Sequence, residues 1–283
     1  MIKEIIQEYA GKVTIVDVAV SITGVTALAI WLVRTSFGVH ALTNAPSRRN
    51  NMPAYMSLIP FFFWLLTLGL LGLIKAHVLP DLSGWRKAFA ENLIMCLGAV
   101  PAIATCLYIA KRHFARGLRG FGFNPGTIVR DVPAAFLNLL AILPVIFTAI
   151  VLTLVAGKLI VGPEFEIPRH ENLREIMEYP QISLRALIII TVILIGPFTE
   201  EVLFRGILQT LLRSYIGKPW PAIIVTSLIF ASLFHENPQH WPAIFMLSLC
   251  LGYSYEKTGS LFRSIFLHSM FNGLSVLMTL NLS

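Results

Sequence analysis

The stretch Leu187-Ile-Ile-Ile-Thr-Val-Ile-Leu-Ile195 runs directly into Gly196-Pro-Phe-Thr-Glu-Glu-Val-Leu-Phe-Arg-Gly206. The first part is apolar enough to lie in lipid, and the second part brings two carboxylates and a guanidinium close to it. An ionisable side chain at the centre of a bilayer costs about 2.5–3.5 kcal/mol on insertion scales, so three of them together indicate a function. The stretch therefore predicts a membrane helix that carries a polar site.

The two glutamates of this stretch differ in their helical neighbours. Glu201 and Arg205 stand at i and i+4 with the acid first, which is the favourable order for an ion pair. Glu200 points about 100° away from that pair and has no local partner. We expect Glu201 and Arg205 to give structural support and Glu200 to be free for chemistry. Gly196-Pro197 predicts a break in the helix, which would place both glutamates near a local helix N-terminus.

The composition is that of an integral membrane protein. Of 283 residues, 56% are hydrophobic and 13% are charged, whereas a soluble domain carries about 25% charged residues. The formal net charge of +7 does not indicate nucleic acid as a partner, because Lys and Arg in a membrane protein first report topology. The cysteines lie in apolar runs without CxxC spacing and predict neither disulfides nor a zinc ribbon; they are Cys96, Cys106 and Cys250.

Apolar runs predict about eight membrane-spanning helices, and hence an all-α, polytopic fold. The predicted spans are 13–33, 54–74, 89–110, 132–160, one from 184 into the opening motif, 222–234, 241–255 and 261–280. Residues 1–182 would form an N-terminal membrane region of about four helices, and residues 183–283 a second membrane domain. A short surface helix is predicted at 173–179, in an acidic segment.

The distribution of Lys and Arg predicts the topology. The connections between spans one and two, three and four, five and six, and seven and eight hold more of these residues than the opposite side. We therefore expect both termini outside and the basic connection 111–130 in the cytoplasm, where it signals topology or contacts anionic lipid. Span counting then puts Glu200 near the cytoplasmic end of its helix and His235 at the far end of the next. A shared site requires either that residues 202–218 enter the membrane or that the sixth span is shifted along the membrane normal.

The polar residues of the last two apolar regions indicate where chemistry could occur. His235 and Glu236 end the sixth predicted span, and His268 and Asn272 lie on one helical face of the eighth. A His and an Asn one turn apart can hold a water or an oxyanion, and a carboxylate can take a proton from that water. We expect Glu200, His235, His268 and Asn272 to meet in one polar cavity between helices.

These motifs resemble those of the CPBP family, the Abi-like group that includes type II CAAX prenyl proteases and bacteriocin-processing proteins. The resemblance covers about residues 184–280, and residues 183–283 would form its CPBP-like catalytic membrane domain. It departs at the second motif, where the family usually has Phe four residues before the His and this chain has Ala231. The matching residues are Glu200, Glu201 and Arg205, then His235, then His268 and Asn272.

The resemblance implies an intramembrane endopeptidase that hydrolyses a peptide bond of a membrane-associated or prenylated substrate. Water would be activated by Glu200, oriented with the help of His235, and the oxyanion would be stabilised by His268 and Asn272. Arg205 would hold the second glutamate. The implied partners are membrane lipids and a peptide or protein substrate, and we expect a multi-pass protein of the bacterial cytoplasmic (inner) membrane.

The resemblance leaves open whether a divalent metal such as zinc takes part. In a metalloprotease mechanism the metal would be held by His235, His268 and Glu200, and in the other mechanism the glutamate acts without metal. A zincin motif is not expected, because His240 follows His235 at i+5 with Pro238 between them, and the two do not share a helical face.

Two other classes of protein remain open. A transporter or proton-coupled carrier could use the same buried ionisable residues as a relay, and it predicts inverted repeats with paired broken helices. A non-proteolytic membrane immunity or scaffold protein could keep the polar cavity for packing alone.

Overall fold

The computed structural model describes residues 15–77, 82–168, 171–233 and 238–280. Within these ranges the regular structure is helical, and the β-structure is one isolated bridge between Asn50 and Phe114. The prediction of an all-α fold is therefore confirmed.

The helices follow the apolar runs of the sequence, with short 3-10 turns before three of them. They are α1 (Ile15–Arg34), α2 (Leu58–His77), α3 (Gly84–His113), α4 (Gly117–Phe121), α5 (Ile128–Ile160), α6 (Glu171–Glu178), α7 (Ile182–Ile216), α8 (Pro219–Leu233), α9 (Trp241–Thr258) and α10 (Leu261–Leu280).

Among the described residues, five helices are long and apolar enough to cross a membrane, namely α2, α3, α5, α7 and α10. The helices α1 and α8 contain shorter apolar stretches, Ser21–Arg34 and Pro219–Leu233. A multi-pass membrane protein is thus shown, and about eight spans are compatible with it. The predicted surface helix is α6, of which Ile176 is buried and packs with Ala88 of α3.

The helix that carries the opening motif is continuous, so the predicted break at Gly196-Pro197 is wrong. Two π-helical segments, Thr191–Ile195 and Val202–Gln209, flank the α-helical turn Gly196–Glu201. Proline in a helix interior clashes with the carbonyl four residues earlier, and the wider π-turn before Pro197 lets the chain pass it without a break. Both glutamates therefore lie in mid-helix and not at a helix N-terminus.

The length of α7 bears on one half of the difficulty raised by span counting, the position of Glu200; the other half, His235, lies outside the described residues. Its 35 residues extend over about 52 Å at 1.5 Å per residue, which exceeds the roughly 30 Å of a bilayer hydrocarbon core. The segment 202–216 continues the membrane helix, so it neither lies along the surface nor bends back. Glu200 consequently stands deep in the bundle, with helix on both sides of it.

Four connections meet on one end of the bundle, which we call the basic face (residues 35–57, 114–127, 217–218 and 259–260). Asn50 bridges Phe114 and donates to Ser214 Oγ at 3.1 Å. Arg48, also in the first connection, pairs with Glu256 near the end of α9 at 3.2 Å. These are the connections that the Lys and Arg distribution assigned to one side. Which side of the membrane they face stays a prediction.

The helix α7 lies in the centre of the bundle, in contact with α3, α8, α9 and α10. Its Phe204 packs edge-on against Phe61 and Phe230. Gly206 permits the approach of α4, since a Cβ there would stand 2.2 Å from the Phe121 ring. Helices from both predicted regions pack together, with α5 against α9 and α10. The boundary at residue 182 stays a prediction.

Candidate active site

Glu201 and Arg205 form a buried ion pair on α7. Arg205 Nη1 donates to Glu201 Oε1 at 2.9 Å, and both side chains have an exposed fraction of 0%. The local i, i+4 geometry that the sequence predicted is therefore present. A buried pair of this kind is favourable only when further hydrogen bonds satisfy its remaining polar atoms.

The helix α9 supplies two such bonds through Ser248, whereas Arg205 Nε and Glu201 Oε2 have no hydrogen-bond partner among the described residues. Arg205 Nη2 donates to Ser248 Oγ at 2.6 Å and to its backbone oxygen at 3.2 Å. The guanidinium carbon also lies 4.5 Å from the centroid of the Phe230 ring of α8, a cation–π contact. Three helices thus fix the orientation of Arg205.

A series of polar contacts extends the Arg205–Ser248 contact along α7 and α9, with a step of four residues on each helix. Its small members Ser248 and Gly252 allow the close helix approach that is typical of membrane helix pairs. A Cβ at Gly252 would stand 2.7 Å from Gln209 Oε1. We call this series the polar ladder; its pairs are Arg205 with Ser248, Gln209 with the Gly252 carbonyl, and Arg213 with Glu256.

His268 of α10 stands between the two glutamates of α7. Its Nδ1 lies 3.0 Å from Glu201 Oε1, and its Nε2 lies 3.6 Å from Glu200 Oε2. The carboxylate of Glu201 also accepts from Arg205, so Nδ1 is the donor of this bond and carries a proton. This bond sets the tautomer of the ring and directs Nε2 towards Glu200.

Glu200 is the more accessible of the two glutamates. Its side chain has an exposed fraction of 19%, against 0% for Glu201. Gly196 lies one turn earlier, and a Cβ at that position would be in ordinary contact with Glu200 Oε1, at 3.6 Å. A carboxylate that is reachable and faces an imidazole nitrogen has the geometry of a general base.

Asn272 is placed on the same face of α10 as His268 and is half-buried. Its Nδ2 donates to the backbone oxygen of Val192 at 2.8 Å. Val192 lies in the π-helical segment that precedes Gly196. The structure thus brings Asn272 to α7, one helical turn or more away from the glutamates.

His235 and Glu236 lie outside the described residues. Ala231 stands where the family usually has phenylalanine, and the neighbouring Phe230 is described. Phe230 contacts Arg205, as above, and its ring centroid lies 6.1 Å from that of His268 in an edge-on arrangement. Phe230 therefore packs against the site although it stands five residues before the histidine and not four.

Sequence reasoning missed three contributors to the site, namely Ser248, Phe230 and the Val192 carbonyl. The spacing of Ser248 and Gly252 is a small-xxx-small signal that could have indicated a close helix contact. Nothing in the sequence indicates Val192, because its side chain is ordinary for a membrane helix. Only its backbone oxygen takes part, as the acceptor of the Asn272 hydrogen bond.

The donors available for a metal were tested on the same geometry. Glu200 Oε2 and His268 Nε2 are 3.6 Å apart, close to the roughly 3.4 Å that separates two ligands of a tetrahedral zinc. The described residues contain no group of three His, Cys, Asp or Glu that could hold a metal. The third predicted ligand, His235, lies outside them, so a bound metal stays a prediction.

Comparison with known proteins identifies this part of the chain. A family model described as type II CAAX prenyl endopeptidase Rce1-like matches residues 182–274. These residues are therefore similar to the CPBP/CAAX protease family, and the match supports the resemblance seen in the motifs. The match extends over α7, α8, α9 and most of α10, which include the helices of the first and third motifs, and it supports a membrane-embedded peptidase. No curated protein and no solved structure matches the chain.

Proposed function

We propose that the protein is an intramembrane endopeptidase in which Glu200 activates the attacking water. The observation that carries this proposal is the partly exposed Glu200 carboxylate, which faces Nε2 of His268 at 3.6 Å. The opposite edge of the same ring is held by the buried Glu201–Arg205 pair. The similarity to the CAAX protease family supplies the reaction class, and this geometry supplies the roles.

The charges of the site support one shared proton. The Arg205 and Glu201 charges cancel as a pair, which leaves the Glu200 carboxylate and the His268 ring. A single proton between Glu200 Oε2 and His268 Nε2 makes the whole group neutral, which a low-dielectric interior favours. The pair can therefore give or take one proton without leaving an uncompensated charge in the membrane.

The reaction is hydrolysis in two steps. Glu200 takes a proton from water while the water oxygen forms a bond to the carbonyl carbon of the scissile peptide. The oxyanion that develops accepts a hydrogen bond from His268 Nε2–H. Glu200 then delivers its proton to the amide nitrogen, the C–N bond breaks, and the products are a carboxylic acid and an amine.

A metal, where present, would be held by Glu200 Oε2, His268 Nε2 and the predicted ligand His235. It would supply Lewis-acid polarisation of the water and carbonyl oxygens. The proton transfers above remain those of the chain's own residues, and Glu201 keeps its task of orienting His268.

The substrate class follows from the depth of the site and from the resemblance. His268 is the eighth residue of α10, so it lies about 10 Å along the helix from the basic face. A peptide bond that enters from this face at the membrane boundary would reach it. We propose a membrane-associated or prenylated substrate and a location in the bacterial cytoplasmic membrane.

The test is the Glu200→Gln variant, purified and reconstituted in proteoliposomes. The probes are a farnesylated peptide that ends in a CAAX sequence and the same peptide without the prenyl group. We expect wild type to cleave the farnesylated probe and Glu200→Gln to show no cleavage, while Glu171→Gln, on the exposed α6, keeps full activity. Turnover by Glu200→Gln would remove the base assignment, and cleavage of neither probe by wild type would favour the scaffold hypothesis.

The carrier hypothesis has weaker support. It predicts paired broken helices near the midplane, whereas α7 runs without a break through the buried charges.

A further inference from the structure

The backbone of α7 has a carbonyl without its helical donor just before the motif. In the π-helical turn the Gly196 N–H donates to the Thr191 oxygen, five residues back. The next donor in this register would be the N–H of residue 197, directed at the Val192 oxygen. Residue 197 is proline, which has no N–H, so Pro197 leaves the Val192 oxygen without a partner from its own helix.

Asn272 supplies the missing donor from α10. Its Nδ2 lies 2.8 Å from the Val192 oxygen, and the atom that faces a carbonyl must be the amide nitrogen and not the amide oxygen. Polar backbone groups at membrane depth must be satisfied within the protein, because lipid offers no hydrogen bonds. The contact therefore has a structural cause that is independent of any reaction.

This bond sets the position of α10 on α7. Asn272 lies one turn beyond His268 on α10, and Val192 lies two turns before the glutamates on α7. With the His268–Glu201 bond at 3.0 Å, it gives two fixed points between antiparallel helices. A rotation or slide of α10 would change the 3.6 Å separation of His268 Nε2 and Glu200 Oε2.

We infer that Asn272 is a positioning residue, which acts through the Val192 carbonyl that Pro197 leaves free and so holds His268 against Glu200. Its role in catalysis rests on the proposed function, whereas the contact itself does not. If Asn272 instead bound the oxyanion, it would act directly on the reacting atoms, and its effect would not depend on whether residue 197 is proline. The two roles therefore differ in how they respond to a change at residue 197.

The test is a double-mutant cycle of Asn272→Ala and Pro197→Ala. Pro197→Ala restores a backbone N–H in register with the Val192 oxygen and is expected to be mild alone, since a carbonyl accepts two hydrogen bonds. Asn272→Ala in the wild-type background should lower the thermal unfolding temperature in detergent and lower kcat at least tenfold. In the Pro197→Ala background, Asn272→Ala should lower the unfolding temperature by less than a third as many degrees. The fold-decrease in kcat should likewise be less than a third of that in the wild-type background.

The matched control is Pro144→Ala, which removes a proline from the interior of α5 and should give Asn272→Ala no rescue. Should Asn272→Ala fail to fold, the double variant with Pro197→Ala is expected to fold, and its failure would overturn the inference. Equal losses in both backgrounds, with an active wild type, would also overturn it and assign Asn272 to the oxyanion. Rescue of the unfolding temperature in a protein without any cleavage would support the contact and contradict the proposed function.

Discussion

His268 contacts both glutamates of the Glu200-Glu201 pair, with Nδ1 3.0 Å from Glu201 Oε1 and Nε2 3.6 Å from Glu200 Oε2. Adjacent residues of a helix point about 100° apart, so the ring contacts the two carboxylates through its two different nitrogens. The two ring nitrogens of His268 therefore have different partners. The edge at Glu201 is held by a buried ion pair, and the edge at Glu200 is free to exchange a proton.

Replacing His268 by Gln should abolish most of the activity. Gln can keep one hydrogen bond, but it cannot donate to Glu201 and at the same time share a proton with Glu200, and general acid–base groups typically contribute about 10²–10⁴-fold. We expect kcat to fall by about that factor with KM little changed. The measurement is cleavage of the farnesylated peptide in proteoliposomes.

His40→Ala, at an exposed position of the basic face, is the control for that measurement and should retain wild-type kcat. An unchanged kcat in His268→Gln would contradict the assigned role of the imidazole.

Replacing Arg205 by Ala should destabilise the fold. The change leaves Glu201 and its charge buried without their partner, and breaking a buried pair in this way costs about 3–5 kcal/mol. We expect a lower free energy of unfolding in detergent, measured by thermal or SDS-induced unfolding, together with lost activity.

The exposed pair Arg174–Glu171, whose atoms are 3.9 Å apart, gives the comparison for Arg205→Ala. Arg174→Ala should change the free energy of unfolding by at most about 1 kcal/mol, because exposed pairs contribute little. Similar effects of the two substitutions would show that burial does not govern the Arg205 pair.

Replacing Gly252 by Ala should separate α7 from α9. The added Cβ would stand 2.7 Å from Gln209 Oε1 and 3.0 Å from Ile223 Cγ2, and overpacking of this kind costs about 1–3 kcal/mol. Because the polar ladder also holds Arg205, kcat should fall along with the unfolding temperature.

Gly69→Ala in α2 is the matched control for Gly252→Ala. A Cβ there meets nothing within 4 Å among the described residues, and Ala is favoured over Gly in a helix by about 0.5–1 kcal/mol. It should be neutral or stabilising. If both variants lost stability, the cause would be helix propensity or lipid contact, and not the α7–α9 contact.

The helices were predictable because their signal is local. The span predicted at 261–280 coincides with α10 (Leu261–Leu280), and the other predicted spans overlap the observed helices. A run of apolar side chains satisfies its backbone within the helix, so a single segment carries the information. The Glu201–Arg205 pair was predictable for the same reason, since i, i+4 neighbours meet in any helix.

The course of α7 was less predictable. Gly196-Pro197 indicates a break from propensity alone, and the sequence does not reveal that a π-turn can absorb the proline. Four helices pack around α7, which is continuous through the motif, and Asn272 from α10 satisfies the carbonyl that the proline leaves open. Tertiary contacts therefore decided a local conformation.

The sequence by itself determined the fold class, the membrane location and the residue types of the candidate site, because apolar length and buried charge are properties of single segments. Only the tertiary structure decided which of those residues contact one another. It placed His268 between Glu200 and Glu201, bound Arg205 to Ser248, and turned Asn272 towards the Val192 carbonyl. These contacts join residues that are 43 to 80 positions apart in the chain. They depend on the rotation of each helix about its own axis, and no local sequence pattern specifies that rotation.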